Sequence, residues 1–209
     1  MECGLEQTAG RTIERVAATM TIQSHDPESF VLGTERLRLR PMATTDVGWL
    51  WELDQDPEVM RYISGGAPTS RETLEQVYLP RMLQRYDAGP QYGFYRAELR
   101  AGDEPIGWFH LRPERLEPFE MELGYRLRRD VWGLGLASEG SRELIRLALG
   151  EWRLPRVAAR TLAANLASRR VMEKCGMRLE REFSYPAEWL PQFTAEERRA
   201  VRYTVDAAR

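Results

Sequence analysis

The residues with the clearest chemical potential form a glycine-rich segment in the second half of the chain. It reads Arg128-Arg129-Asp130-Val131-Trp132-Gly133-Leu134-Gly135-Leu136-Ala137-Ser138-Glu139, and a strand-like pattern passes there directly into a helix-like one. Glycine lets successive backbone N–H groups point at one place and lets a ligand approach without a Cβ in the way. A helix N-terminus also favours an anion, so the segment predicts a pyrophosphate site with Arg128 and Arg129 at its rim. A tight strand-to-helix turn with no ligand would also explain the two glycines.

Two common nucleotide-binding motifs do not fit this segment. A dinucleotide fold needs GxGxxG after its first strand, whereas this turn comes late and lacks the third glycine. A P-loop needs GxxxxGK[ST], whereas Gly135 is followed by leucine and alanine. The predicted pyrophosphate therefore belongs to another ligand.

A second segment, 165–177, begins with residues that suit a helix start. Asn165 is a good N-cap and Ser168 falls at the third helical position. Capping alone is enough to explain both residues. Cys175 lies near the predicted helix end without a histidine close in sequence, which predicts a small buried residue and not a nucleophile.

Hydrophobic periodicity predicts the elements that position these segments. Strands are expected over 34–41, closed by Pro41, and then over 93–99, 105–112, 119–128, 156–162, 177–183 and 201–205. Four helices are expected. The first runs from a cap at Thr44 or Thr45 through Leu53, with Pro57 beyond it, and the second runs from Thr69 or Ser70 toward Tyr86 with a kink at Pro80. The third follows the glycine turn and the fourth covers 165–174. The order predicts an α/β (α+β) fold with a mixed, mostly antiparallel sheet of about seven strands flanked by helices. Its strand–helix–strand unit, 119–162, should be parallel and right-handed.

Length and composition are those of an ordinary globular protein. The chain has 209 residues, of which 43% are hydrophobic and 30% charged. We expect one domain over residues 31–209 and a flexible N-terminal arm over residues 1–30, in which Met20 is an alternative start.

Several classes of protein are excluded on chemical grounds. A net charge of −2 gives no basic field for non-specific nucleic-acid binding. Cys3 and Cys175 cannot build a disulfide framework, and with His25 and His110 as the only histidines a metal centre is not expected. The sequence shows neither a membrane-spanning apolar run nor a signal-peptide core, so we expect a cytoplasmic protein without a membrane partner.

In the order and spacing of its motifs, the sequence resembles the GNAT superfamily of acetyltransferases. It is most similar to the branch around the ribosomal-protein N-terminal acetyltransferases (RimJ/RimL-like). The resemblance covers roughly residues 33–205. It is carried by Thr34-Glu35-Arg36-Leu37-Arg38-Leu39-Arg40-Pro41, Pro105-Ile106-Gly107-Trp108, Met121-Glu122-Leu123-Gly124-Tyr125, the glycine turn 132–139 and the segment 165–177.

This resemblance implies a GNAT fold, acetyl-CoA as the acyl donor without a metal, and direct attack by a primary amine in a ternary complex. The turn would bind the pyrophosphate, Asn165 the pantetheine arm, and the backbone of 123–125 the thioester carbonyl. Ser168 would protonate the departing thiolate, a role that a tyrosine fills in many relatives. The implied cofactor-binding residues are Leu123, Tyr125, Arg128, Val131, Trp132, Gly133, Leu134, Gly135, Leu136, Ala137, Asn165 and Ser168.

The attacking amine must lose a proton, and two residues are candidates for accepting it. Glu122 is the first choice, because strand alternation places it with Gly124 and Arg126 on the face opposite Leu123. An ion pair with Arg126, or simple solvation, explains Glu122 equally well. His110 is the second choice, since an ordinary histidine titrates near neutrality, and a purely structural histidine is its alternative.

The acceptor is expected to be a small-molecule or peptide amine, with no nucleic-acid partner. Glu52, Asp54, Asp56 and Glu58 form an acidic run beside Trp49, Trp51 and Tyr62, which either attracts a cationic amine or is a solvated helix face. Substrate choice should come from this region and from 184–197, in which 186–191 lines the acceptor site or forms a homodimer contact. The rival interpretations are a non-catalytic acyl-CoA-binding module, a nucleotide-binding protein and an interaction domain.

Overall fold

A computed structural model describes residues 32–84, 89, 91–114, 117 and 120–208 of the chain. The predicted arm, residues 1–30, lies outside the described residues, and the assignment of 31–209 to one domain stays a prediction. The strands are β1 (Leu32–Gly33), β2 (Leu37–Pro41), β3 (Gly93–Leu99), β4 (Pro105–Pro113), β5 (Met121–Leu127), β6 (Arg156–Leu162), β7 (Arg178–Ser184) and β8 (Arg199–Asp206). The helices are α1 (Val47–Leu53), α2 (Pro57–Ser64), α3 (Arg71–Thr73), α4 (Leu79–Met82), α5 (Leu136–Arg146) and α6 (Leu166–Lys174).

The eight strands form one sheet in the order β1-β2-β3-β4-β5-β6-β8-β7. All neighbouring pairs are antiparallel except β5 and β6, which are parallel and joined through α5. The predicted fold class is therefore confirmed, as is the parallel pairing in the strand–helix–strand unit. The sheet has one strand more than expected, because the short β1 folds back on β2 beyond the periodic part of the pattern.

Two details of the first helices differ from the prediction. Pro57 begins a helix of its own, α2, where Asp56 caps by accepting the Glu58 N–H at 2.9 Å and Gly65 ends it in the left-handed conformation. Neither Thr44 nor Thr45 caps α1, which follows a 3₁₀ turn over Thr44–Asp46. The Asp46 carboxylate holds this turn instead, accepting the Ala43 N–H at 2.8 Å.

The predicted kink near Pro80 appears as a change in helical pitch. A π-helical turn, Leu74–Tyr78, links α3 to α4, so that the ring of Pro80 falls in the first turn of α4. Proline lacks the backbone N–H for a helical bond and its ring crowds the preceding turn, so the wider π-helical turn before it is the local adjustment. The helix ends at Met82, short of the predicted Tyr86, which lies outside the described residues.

The two faces of the sheet carry separate apolar clusters. The alternation of side chains along β4 places Phe109 and Leu111 on the face covered by α5 and α6. There they belong to one cluster with Leu123 of β5 and Leu144 of α5. Trp108 points to the other face, where it packs with residues from α1, α2 and the α3–α4 segment. The central strands are thus covered on both sides, and successive side chains on β4 pack into the two different apolar clusters.

Gly140 lets α5 lie close to the sheet. A Cβ built at this position would be 2.5 Å from Cζ of Phe109, a separation that atoms in contact do not reach. The Phe109 ring is fully buried, so it has little room to withdraw. The position of α5, and with it the start of the helix at the glycine turn, depends on this contact.

We expect Gly140→Ala to lower the free energy of unfolding by about 1–3 kcal/mol, because it overpacks this contact. Gly48→Ala is the matched control: Gly48 lies in α1, and nothing is within 4 Å of its added Cβ. That variant should be neutral or stabilised by a fraction of a kcal/mol through helix propensity. Chemical denaturation of both variants checks this, and equal stabilities would contradict the close approach.

Across the described part of the chain, no helix is long and apolar enough to cross a membrane. The same residues contain no group of three or more His, Cys, Asp or Glu side chains that could hold a metal ion.

Candidate active site

The parallel strands β5 and β6 separate soon after they begin to pair. Only Met121 and Glu122 of β5 have partners on β6, namely Val157 and Ala158. From Leu123 to Leu127, no described strand pairs with the β6 side of β5. Backbone N–H and C=O groups need partners, so an opened parallel pair can accept an extended ligand as if it were a strand.

The glycine-rich turn follows directly from the open end of β5. Gly133 and Gly135 adopt φ of 77° and 80°, and Gly135 is the N-cap of α5. No described side chain caps α5, so amide groups of its first turn are left for a ligand. The segment Val131 to Ala137, expected to bind a pyrophosphate, thus spans the connection from the end of β5 to the start of α5.

Contacts from the segment between β1 and β2 hold this turn in place. Glu139 Oε1 accepts the Thr34 hydroxyl at 2.5 Å and the Arg36 N–H at 2.9 Å, and its other oxygen pairs with the Arg36 guanidinium at 2.6 Å. Arg36 also donates to the Leu134 carbonyl at 3.0 Å. The sequence prediction assigned 34–41 only to a strand, and no local signal showed that Arg36 reaches across to Glu139.

The arginines at the rim of the turn are already paired. Arg128 bonds to Asp130 and to Glu104, and Arg129 pairs with Asp56 at 3.1 Å. These contacts raise the pKa of Arg128 and neutralise its charge locally. The expected contribution of Arg128 to phosphate binding would therefore require it to exchange partners, and the backbone amides are the better candidates.

At the start of α6, the predicted cap is confirmed and a further partner appears. The Asn165 side-chain oxygen accepts the Ser168 N–H at 3.1 Å. The Tyr125 hydroxyl lies 3.0 Å from Ser168 Oγ and 3.2 Å from the Ser168 carbonyl oxygen, across the gap between β5 and α6. Burial raises the pKa of Tyr125, so its phenol stays protonated. The sequence analysis placed Tyr125 among the cofactor-binding residues and gave its hydroxyl no role. Because Tyr125 and Leu123 are two residues apart on β5, strand alternation could have shown that Tyr125 lies on the face covered by α6.

On the opposite face of the sheet, His110 has one nitrogen fixed by the backbone. Its Nδ1 lies 3.1 Å from the Glu122 carbonyl oxygen, which can only accept, so Nδ1 carries the proton and Nε2 the lone pair. Nε2 lies over Gly124, where a Cβ would be 2.2 Å away. Burial, and then the charge of Arg112, lower the pKa of His110 well below its usual value, which keeps the ring neutral.

Glu122 belongs to a buried ionic cluster. Its carboxylate pairs with Arg112 at 2.7 Å and with Arg160 at 3.1 Å, and Arg160 also pairs with Glu114 at 2.7 Å. The expected alternative of a pair with Arg126 is wrong, because Arg126 bonds to Asp54 instead. Proton uptake by Glu122 would weaken two ion pairs, so the cluster suits a structural or positioning role at least as well as a catalytic one.

A cavity of about 750 Å³ opens between this face and the helices that cover it. His110, Trp108 and Arg126 line its floor, and Asp54 and Thr69 line its wall. Trp189 and Gln192 of the segment 184–197 border the cavity, and Gln192 donates to the Ile63 carbonyl at 3.0 Å. The contribution of this segment to substrate choice stays a prediction.

The acidic run is not a free anionic surface. Asp54 is 2% exposed and bonds to Arg126 and Thr69. Asp56 caps α2 and pairs with Arg129, while Glu58 lies 3.7 Å from Arg61. Three of its four carboxylates are therefore engaged locally, which leaves little to attract a cationic amine over a distance.

Comparison with known proteins identifies the family. Residues 36–178 match the model of the acetyltransferase (GNAT) domain. The chain is 34% identical over 153 residues to the FsC-acetyl coenzyme A-N(2)-transacetylase of Aspergillus fumigatus, a match that covers 70% of this chain and 64% of that relative. It is 36% identical over 148 residues to the uncharacterized protein YkkB of Bacillus subtilis, covering 70% of this chain and 84% of the other. The chain therefore belongs to the GNAT acetyltransferase family.

Solved structures agree on the fold. A GNAT-family acetyltransferase from Bacillus anthracis superposes with a TM-score of 0.69 at 22% identity, covering 85% of this chain and 98% of the other. RimL, the ribosomal L7/L12 alpha-N-protein acetyltransferase in complex with coenzyme A, gives a TM-score of 0.69 at 18% identity, with coverage of 85% and 98%. At these identities the likeness concerns the fold alone.

We expect acetyl-CoA at about 100 times its Kd to stabilise the folded state by about 2.7 kcal/mol and to raise the melting temperature by several degrees. ATP and NAD at equal concentration should cause no comparable rise. Gly135→Val should abolish the response, because a side chain is strained at φ 80° and crowds the cradle. Thermal unfolding monitored by circular dichroism measures each rise.

Gly176→Val is the matched control for backbone strain. Gly176 has the same φ of 80° but lies beyond the far end of α6, with nothing within 4 Å of an added Cβ. This variant should lose stability yet keep the full response to acetyl-CoA. If Gly135→Val also kept it, the pyrophosphate would not be bound at the glycine turn.

Proposed function

We propose that this protein transfers an acetyl group from acetyl-CoA to a primary amine by direct attack in a ternary complex. The single observation that carries the proposal is the open backbone of β5 leading into an uncapped α5 through two left-handed glycines. An extended pantetheine arm and a pyrophosphate would fit this continuous path. Family membership and the name of the A. fumigatus relative, an acetyl-coenzyme A-dependent N-transacetylase, support it.

Bound acetyl-CoA would supply a thioester carbonyl that an unprotonated amine attacks, forming an amide and releasing the thiol. The backbone amides at Gly133 to Ala137 would hold the pyrophosphate, and the Asn165 amide nitrogen would reach the pantetheine arm. The open backbone at Leu123 to Tyr125 would polarise the thioester carbonyl. The chain's own residues must then take one proton from the amine and give one to the sulfur.

His110 is the better placed of the two candidate proton acceptors. Its Nε2 carries a lone pair, lies on the cavity side and is held over the backbone of β5 at Gly124. The low pKa of the ring keeps that lone pair available at neutral pH, and the amine nitrogen becomes acidic as it bonds to carbon. Glu122, the first choice from sequence, stays a candidate through a water, and its two ion pairs weigh against direct action.

Tyr125 and Ser168 form the proton-donating side of the proposal. Their hydroxyls are 3.0 Å apart at the gap through which the pantetheine arm would run. Either hydroxyl can donate to the departing sulfur while the other supports it, so the pair acts as a unit. Because the Tyr125 pKa is raised, this donor persists across the ordinary pH range.

The finer assignments belong to this proposal as well. Five assignments remain inferences from the sequence: an acceptor that is a protein N-terminus or a small amine, a RimJ/RimL-like branch, a cytoplasmic location, the absence of a nucleic-acid partner, and a homodimer. The segment 186–191 either lines the acceptor site or forms the homodimer contact. A non-catalytic acyl-CoA-binding module of the same fold is the second candidate. It would bind acetyl-CoA at the turn without acetylating any amine.

His110→Gln should lower kcat by about 10²- to 10⁴-fold while leaving acetyl-CoA binding intact, because it removes the acceptor lone pair. In the unmodified protein, the pH profile of kcat/KM should have no inflection near pH 6.5. The fall of kcat/KM at acid pH should follow the pKa of the amine substrate. Steady-state kinetics with two amines of different pKa measure this.

Glu122→Gln provides the comparison. It should lower thermal stability by disrupting the cluster with Arg112 and Arg160, with a smaller loss of kcat than His110→Gln. The reverse order of the two losses would assign the base to Glu122.

Tyr125→Phe and Ser168→Ala should each lower kcat, and the double variant should be no slower than the slower single one. Such non-additivity is expected when two groups act as one unit. A double-mutant cycle on kcat, with KM for acetyl-CoA as a check on binding, gives the coupling. Losses that multiply would show that the two hydroxyls act independently.

A further inference from the structure

The floor of the cavity contains a second pair of residues beside the candidate base. In the antiparallel β4–β5 ladder, Trp108 is the direct partner of Arg126, and His110 is the direct partner of Gly124. Directly opposed residues project to the same face, and so do residues two apart on one strand. Trp108 and Arg126 therefore lie one step along the strands from His110, on the cavity side.

The cavity has no carboxylate free to hold an ammonium group. Of its described lining residues, Asp54 alone carries a carboxylate. One oxygen of Asp54 accepts from Arg126 and the other accepts from the Thr69 hydroxyl at 2.7 Å. The same bond neutralises much of the charge of Arg126, and among the described lining residues no carboxylate is left free to attract an ammonium group.

What the floor does offer is hydrogen-bond donors without acceptors. Trp108 Nε1 and Arg126 Nε are both buried, and neither has a hydrogen-bond partner among the described residues. Trp108 as a whole is only 8% exposed. By contrast, Trp49 donates to Asp46 at 2.8 Å and Trp132 donates to the Leu127 carbonyl at 2.8 Å. Buried donors are almost always paired in folded proteins, so an unpaired indole N–H and an unpaired guanidinium N–H on two directly opposed residues of the cavity floor favour a ligand atom that accepts.

We propose that Trp108 and Arg126 form an oxygen-binding subsite that selects amines carrying a carbonyl or carboxylate oxygen a few bonds from the nitrogen. This inference rests on the proposed function. An N–H group can only donate, so the complementary atom is an oxygen and not a second amine. The subsite specifies which amines react well, whereas His110 would serve any amine that reaches it.

The spacing suits such a substrate. The ring centroids of Trp108 and His110 are 5.7 Å apart, and the Arg126 guanidinium carbon lies 5.2 Å from the Trp108 ring. A nitrogen at His110 and an oxygen at the Trp108–Arg126 pair are thus a few bonds apart. Amino acids, their amides and peptide N-termini share this chemistry, and simple alkylamines lack it.

The test uses the full chain, saturating acetyl-CoA, and glycinamide, glycine and ethylamine as probes. Rates are compared per unprotonated amine, since the three differ in pKa. We expect kcat/KM for glycinamide to exceed that for ethylamine, and Trp108→Phe to lower the glycinamide value by about tenfold without changing the ethylamine value. The glycine arm shows whether a charged carboxylate is accepted as well as a neutral carbonyl.

A second variant and a control keep the result interpretable. Arg126→Lys removes Nε–H and keeps a positive charge beside Asp54, so it should show the same selective loss. Trp49→Phe removes an indole N–H that already has a partner outside the cavity, and the ratio of the two rates should not change.

Equal kcat/KM for glycinamide and ethylamine, or equal losses for both amines in Trp108→Phe, would overturn the subsite while leaving the transferase activity standing. Failure of all three amines and of a peptide N-terminus to react, with acetyl-CoA still stabilising the fold, would overturn the proposed activity and the subsite together.

Discussion

The early separation of β5 from β6 is the constraint on which the rest of the site depends. Two parallel strands that pair for two residues and then part leave one backbone open along its length. In folded proteins such groups find partners, so the gap favours an extended ligand. The separation is maintained from both sides. β6 pairs along its whole length with β8, and α5 is packed onto the sheet through the contact between Gly140 and Phe109.

Arginine–carboxylate pairs give the surroundings of the gap their shape. Every basic residue except Lys174 is an arginine, and the planar guanidinium can bond a carboxylate and a backbone carbonyl at once. Arg36 does so at the glycine turn, bonding Glu139 and the Leu134 carbonyl. Arg126 ties β5 to the C-terminal end of α1 through the Asp54 carboxylate. Charge near the gap is therefore used mainly to hold elements in place, and the reacting groups that we propose are neutral side chains and backbone amides.

The sequence predicted those features that depend on local periodicity and on residue type. The strand alternation of β2 to β6, the crossover helix and the Asn165 cap are all local patterns, and they appear as expected. The pairs Arg36–Glu139, Arg160–Glu122 and Tyr125–Ser168 join residues that are far apart in the chain, and a single sequence holds no record of such contacts. Pro57 does lie beyond the first helix as expected, and the sequence analysis missed the helix that it begins, because a proline that follows one helix is equally suited to start the next.

The most direct test of the central claim is a crystal structure of the protein with acetyl-CoA bound. We expect the pyrophosphate oxygens within hydrogen-bond distance of the backbone N–H groups of residues 133–137. The pantetheine arm should lie in the gap between β5 and β6, with the thioester carbonyl at the backbone of residues 123–125. Acetyl-CoA bound elsewhere, or a gap filled by the protein's own backbone in the complex, would contradict the account.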